Sequence, residues 1–238
     1  VITSPELDDN QVKNMEKACQ AIGFQKNQYM LVDHGESFYY YSLTQKRETW
    51  NRSIGWYAFD QDEVKFQQLT MDGSTRPVLV RLEDPKITVL PSLTAPDEEG
   101  EKALEARDEA FRDFIKETLG TGLFSSIQIT GYGFSPDWAK ISVGSLCMQR
   151  RKVYYGNNLF AKGACAAGKE RLEDKILKGY RYMSPALVLK DVGMEMRVMG
   201  APAYYPLIEA GKNWYECKAE CELILDDVTE LVFVVGTF

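Results

Sequence analysis

Residues 129–138 read ITGYGFSPDW, and what they form decides the fold. The run SIQIT (126–130) before them fits a buried strand. Gly131 and Gly133 allow a backbone turn closed to other residues. Ser135-Pro136-Asp137 then carries the signals of a helix start: an N-cap hydroxyl, proline at the first helical position and an acid in the first turn. Strand, glycine turn and helix make a corner where a phosphate or nucleotide can lie against bare backbone. They also make an ordinary β-α turn, so the flanking elements must discriminate.

Downstream, the spacing predicts a helix over 136–148, a short strand KVYY (152–155) and a small-residue helix in NNLFAKGACAAG (157–168), capped by Asn157 or Asn158. Upstream lies a helix over 101–119, with Leu104, Phe111, Phe114, Ile115 and Leu119 inward and Gly120 past its end. The proline-broken stretch 84–100 reads as a loop. Residues 54–71 (IGWYAFDQDEVKFQQLTM) read as two strands joined at Asp60-Gln61-Asp62, and RPVLVRLE (76–83) continues in β.

At the amino end a strand finishes near Ser4. A helix follows with Val12, Met15, Cys19 and Ile22 on one face, capped by Asp8 or Asp9 and ended by Gly23. Then come a strand YMLVDH (29–34) and a helix over 37–47. After about residue 180 the pattern changes to strand alternation. MEMRV (194–198) and ELVFVV (230–235) fit strands, and YECKAECELIL (215–225) sets Tyr215, Cys217, Ala219, Cys221, Leu223 and Leu225 on one face.

The 238 residues are 45% hydrophobic and 26% charged, a globular profile. The formal net charge is −7, and Arg150-Arg151-Lys152 is the single dense cation run, which argues against a nucleic-acid partner. No apolar run reaches the length a bilayer requires. Five cysteines without a Cys-x-x-Cys, and one histidine, argue against a disulfide framework or zinc site. Together these predict a soluble cytoplasmic protein with reduced thiols. The first residue is Val1 rather than Met, which predicts a segment upstream.

In order, VITSPELDDNQVKNMEKACQAIGF…YMLVDHGESFYYYSL resembles the stretch of the seventy-kilodalton heat-shock chaperones that ends the first lobe of their ATPase domain and enters the second. WYAFDQDEVKFQQLTM stands where those proteins have their second phosphate hairpin. ITGYGFSP stands at their adenosine-contacting glycine turn, and NNLFAKGACAAG, with Gly163 at its centre, at their last connecting helix. The C-terminal residues resemble the opening of their β-sandwich substrate domain. The chain also resembles uncharacterised bacterial proteins built on this two-part plan.

The resemblance implies an α/β fold with a ribonuclease-H-like, actin-like ATPase lobe (a mixed sheet with flanking helices) and a small antiparallel β-sandwich-like domain. It divides the chain into 1–46 (tail of the first lobe, strand-helix-strand-helix), 47–180 (second lobe, lacking the lid subdomain) and 181–238 (small β domain). Nucleotide-binding residues carried over by position are Asp60, Gly131, Tyr132 and Gly133, with Tyr132 placed to stack on a purine.

Three departures argue against activity. Gln61 and Asp62 replace the hairpin glycines that let backbone approach phosphate. The first phosphate hairpin would lie before Val1, and the lid subdomain is reduced to residues 72–125. The implied protein is a non-catalytic chaperone-like binding or scaffolding module with a degenerate nucleotide site, and no catalytic residue. Magnesium-ATP would be a cofactor only if an upstream lobe completed the site. The alternatives are an ATPase completed in that way, or a peptide-binding module using the C-terminal β domain near Met194, Met196 and Val198.

Among the remaining candidates, His34 beside Glu36 and Ser37 lies at a strand end and reads as structural, since no nucleophile elbow surrounds any serine. Cys165 reads as a buried thiol within a helix. Tyr39, Tyr40 and Tyr41 cannot all face one core, so they are interface candidates toward the chain's own upstream lobe or a protein partner. Asp60/Asp62 and Asp226/Asp227 read as turn residues rather than metal ligands.

Overall fold

The computed structural model describes residues 1–93, 98–173, 176–224 and 230–236. Its first half contains β1 (Ile2–Ser4), α1 (Asp9–Ala21), β2 (Leu31–Asp33), α2 (His34–Leu43), β3 (Ser53–Asp60), β4 (Glu63–Asp72), β5 (Val78–Leu82), β6 (Lys86–Val89) and α3 (Glu98–Leu119). Then follow β7 (Phe124–Tyr132), α4 (Lys140–Leu146), β8 (Lys152–Tyr155), α5 (Leu159–Leu172), β9 (Tyr180–Tyr182), β10 (Asp191–Val198), β11 (Ala201–Ile208) and β12 (Phe233–Gly236). The chain forms two compact units. One comprises Val1–Glu6 with Gln25–Met183, the other Leu7–Phe24 with Ser184–Phe238.

The first unit is mixed α/β. Its main sheet runs β8-β7-β3-β4-β5-β9, with β6 pairing β4. β3, β4 and β5 are successive antiparallel neighbours, whereas β7 and β8 lie parallel to β3 on its other side. This is the ribonuclease-H-like arrangement. The ten-residue β4 serves two neighbours: Glu63–Phe66 pair with β6, and Leu69–Asp72 with β5. The stretch 84–100 is therefore not a loop throughout; it contributes an edge strand and the first turn of α3.

Strict alternation sorts the two faces of this sheet. Tyr57, Phe59, Val64, Phe66, Ile127 and Ile129 pack against Phe111, Phe114, Ile115 and Leu119 of α3. Ile54, Trp56, Leu69 and Val80 turn the other way, onto α2 and the head of α5. Leu104 departs from expectation at 38% exposed. α2 and α5 cross closely, because a Cβ at Gly163 would stand 1.9 Å from the Ser37 carbonyl oxygen.

That crossing accounts for the tyrosine run. Tyr39 is buried, and Tyr40 and Tyr41 pack at the margin of the same cluster. Tyr40 also reaches a second small cluster around Val32. Three consecutive tyrosines are thus absorbed by two cores and form no exposed patch. Cys165 is exposed, not buried, since the small face of α5 that meets its neighbours carries Gly163, Ala164 and Ala167.

In the second unit, α1 is capped by Asp8, whose carboxylate accepts from the Gln11 amide at 2.7 Å. The sheet is antiparallel, ordered β11-β10-β12, with Met194 buried. β11 escaped the sequence reading because Pro202 and Pro206 argue against a strand. Both are tolerated because β11 pairs on one side only. Conversely, the clean alternation of 215–225 yields no strand in its described part. Residues Trp214–Glu216 form a 3-10 turn, the Cys217 amide bonds to the Trp214 carbonyl, and Cys221 is exposed. Leu225 and the pair Asp226/Asp227 lie outside the described residues.

Candidate functional site

The glycine turn comes first. Gly131 and Gly133 have φ of 94° and 108°. A Cβ on Gly131 would lie 1.8 Å from the Phe59 carbonyl oxygen, and one on Gly133 would lie 2.1 Å from that of Gln61. Both glycines are required by the approach of the β3–β4 hairpin tip, whose Gln61 amide donates to the Tyr132 carbonyl at 2.8 Å. Their backbone is spent on the protein itself.

The helix expected over 136–148 begins only at Lys140, after a turn. Its cap comes from another element. The buried Asp108 of α3 accepts from the Ile141 and Ser142 amides at 2.8 and 2.9 Å and from the Ser142 hydroxyl at 2.6 Å. A carboxylate supplied from α3 replaces the local Ser135 signal, which closes only a short turn with Asp137.

Arg107, also on α3, holds the corner together and has no sequence signal. It is the largest fully buried side chain among the described residues. Its guanidinium donates to Asp62 Oδ1 (2.6 Å), to the Pro91 and Gln61 carbonyls (2.7 Å each) and more weakly to that of Gly133 (3.4 Å). It also stands 5.0 Å from the centre of the Trp138 ring. Asp62 accepts from the Ser92 hydroxyl as well, and this contact first, then Arg107, holds its carboxyl below the usual carboxylate range. The supposed eroded phosphate hairpin is a tip locked from within.

On the opposite face of the same strands lies a cleft of about 430 Å³ within the first unit. It opens at the carboxyl ends of the parallel strands β3 and β7, the place where sheets of this kind receive ligands. β1 delivers Glu6 to its rim, and β3 supplies Trp56, Ala58 and, at its end, Asp60. Lys65 comes from β4, opposite Ala58. β7 adds Thr130, Gly131 and Tyr132, and the start of α5 adds Asn157 and Phe160.

The walls are aromatic. Trp56 is buried, with its indole N–H donating to Thr130 Oγ1 at 2.8 Å. Phe160 lies edge-on to Trp56 and stacks on His34 at 3.7 Å and 5°. Tyr132 is 76% exposed at the mouth. Burial lowers the His34 pKa to about 4, so at neutral pH it is an uncharged wall and a weak base. Asn157 Oδ1 accepts from the Gly131 amide at 2.6 Å, which commits its oxygen and leaves its NH₂ as donors.

Of the expected nucleotide residues, the cleft thus unites Asp60, Gly131 and Tyr132. Gly133 is instead engaged with the hairpin tip. His34, Trp56, Lys65, Asn157, Phe160 and Glu6 went unassigned as ligand-lining residues. The even positions of β3 carry the available signal, since they place Trp56, Ala58 and Asp60 on one face. Among the described residues no three His, Cys, Asp or Glu side chains come together as a metal site, and no helix is long and apolar enough to cross a membrane. The cation run 150–152 makes no patch: Arg151 is buried and donates to carbonyls ending α4, and Lys152 pairs with Glu48 at 2.5 Å.

Residues 1–185 match the family described as "Family of unknown function (DUF5716) C-terminal". The chain belongs to that family. Residues 187–238 match "Domain of unknown function (DUF8552)". No curated protein matches the chain. Solved structures with a similar fold include RuvC of Thermus thermophilus at TM-score 0.31 and 13% identity, covering 44% of this chain and 61% of that one. The same enzyme in complex with Holliday junction substrate gives 0.30 and 13%, covering 44% and 65%. The yeast mitochondrial Holliday junction resolvase Ydc2 gives 0.31 and 5%, covering 73% and 80%. The chain spans about three fifths of the RuvC chains' length.

These findings overturn the chaperone-class ATPase membership and, with it, the chaperone-like function and its ATPase and peptide-binding alternatives. The physical reason is that a hairpin, a helix, a parallel strand and a glycine turn are each common to many folds, so their order alone singles out no family. The exclusion of nucleic acid is also withdrawn, because one of the similar structures is a complex with Holliday junction substrate. Net charge averages over a whole surface and does not exclude a local contact. At TM-scores of 0.30–0.31 the overlap places no resolvase residue on the DUF5716 chain.

Proposed function

We propose that the first unit of this DUF5716 chain is a receptor for a small planar aromatic molecule bearing an amino or other hydrogen-donating edge, bound in the Trp56–Tyr132–Phe160 cleft. The observation that carries this reading is the pairing of aromatic walls with an anionic rim in one cavity. Stacking on Tyr132 and Phe160 suits a flat ring. Asp60 and Glu6 accept from a cation or N–H edge, and at neutral pH they outnumber the one cation, Lys65. Binding is favoured over acid–base chemistry because His34, with a pKa of about 4, holds a proton poorly at neutral pH.

Titration of adenosine and tryptamine, followed by calorimetry and tyrosine/tryptophan fluorescence, tests this. Saturable binding that Tyr132→Ala and Asp60→Asn each weaken about tenfold is expected. Adding phosphates to adenosine should weaken binding, since they bring negative charge to an anionic rim. Tighter binding of the triphosphate, or no binding of either ring, refutes the reading.

A further inference from the structure

A second cleft of about 430 Å³ opens where β3 and β7 begin, at the far ends of those strands from the aromatic cavity. Arg47 and Arg52 line it together with Asn51 and Thr70, and its wall contains no carboxylate. In a chain of net charge −7 this is a local concentration of the opposite sign. Of the acids nearest in sequence, Glu48 is paired with Lys152; Glu83 accepts from the Thr70 hydroxyl (2.7 Å) and Asp72 from the Ser74 amide and hydroxyl, so these two keep their charge outside the lining.

Arg47 is held in place. Its guanidinium lies 3.8 Å over the Trp50 ring and donates to the Tyr180 hydroxyl at 2.9 Å. One face and one N–H fix the group, and its remaining donors are free of that contact. Asn51 Oδ1 accepts from the Ser125 hydroxyl at 2.6 Å, which turns the amide's donor end into its available chemistry. Met71, Val78 and Leu123 add apolar wall beside these donors. A fixed guanidinium, a second guanidinium and an amide donor suit a planar or tetrahedral oxyanion.

We propose that this cleft binds a small phosphate monoester, its dianion between Arg47 and Arg52 and its apolar body against Leu123 and Met71. The site is independent of the aromatic cavity.

Phenyl phosphate, titrated into the full chain at low salt by calorimetry and NMR, tests it. Saturable binding is expected, weakened about tenfold by Arg52→Gln and by Arg47→Ala, and unchanged by Arg112→Ala on α3. Arg52 is exposed, so its variant keeps the test valid even if removing Arg47 from Trp50 disturbs the fold. No saturable binding up to about 10 mM, corresponding to less than about 3 kcal/mol, overturns the proposal. So does equal binding by Arg52→Gln and wild type. A single-stranded oligonucleotide whose affinity falls with salt more steeply than the slope of about −1.4 that two arginines supply would also overturn it, in favour of a nucleic-acid tract.

Discussion

Replacing Arg107 with methionine removes the guanidinium while nearly keeping its volume. The Gln61 and Pro91 carbonyls each lose a charged donor at 2.7 Å, and leaving a buried acceptor unsatisfied costs about 1–3 kcal/mol. The Gly133 carbonyl keeps the Trp138 indole at 3.1 Å, so it adds little. The guanidinium Nε is buried without a partner, and its removal returns about 1 kcal/mol. The net is a destabilisation of about 3 kcal/mol, which for a chain of this size lowers Tm by about 6–12 °C. Arg107→Lys keeps a charge for Asp62 but cannot fork to both carbonyls, so it should fall between the two.

The pH dependence separates the ion pair from the carbonyl contacts. Asp62 has its folded pKa depressed, so its contribution is full above the unfolded value near 3.8 and is lost as pH falls through the lower folded value. In Arg107→Met the part due to Arg107 disappears, and stability below about pH 4 should fall less steeply than in wild type. Thermal unfolding by circular dichroism at pH 7, and urea unfolding between pH 3 and 5, measure the two effects. A Tm change under about 2 °C would refute the idea that this side chain holds the hairpin, the Pro91 segment and the glycine turn together.

Two further outcomes follow from the same geometry. Gly131→Ala should cost at least about 1–2 kcal/mol for its left-handed backbone, and more for displacing Phe59, whereas Gly144→Ala, in open space within α4, should gain about 1 kcal/mol; urea midpoints compare them. Burial depresses the His34 pKa from 6.5 to about 4, so the unfolded chain takes up the proton first and stability falls as pH drops across that window. His34→Gln should remove that component, and NMR of the chain's single imidazole reads the folded pKa directly.

The β3–β4 hairpin, α3, β7 and α5 were legible because each carries its own periodicity and its own punctuation at Asp60–Asp62, Gly120, Gly131 and Asn158. What escaped depends on partners distant in sequence. α4 starts at Lys140 because Asp108, thirty-odd residues earlier, supplies its cap. β11 is a strand in spite of Pro202 and Pro206 because only one of its edges is paired. The alternation of 215–224 made a convincing strand pattern, yet at its start the local turn at Trp214–Glu216 takes the Glu216 and Cys217 amides instead. Of the residues that line the candidate cleft, Asp60, Gly131 and Tyr132 were named by position, through the resemblance. The aromatic walls were not, because Trp56, Phe160 and His34 belong to three elements that only the folded sheet brings to one cavity.

The path of the chain has a practical consequence for dissecting this protein. It leaves the first unit after Glu6, returns at Gln25 and leaves again after Met183. The second unit is therefore discontinuous, and no single cut releases it whole. A fragment ending at Met183 carries away α1, a thirteen-residue helix too short to persist alone in water, and strands the β10–β12 sheet without it. Separating the units without breaking either calls for a circular permutant or co-expressed segments, in which Leu7–Phe24 travels with the carboxyl-terminal residues.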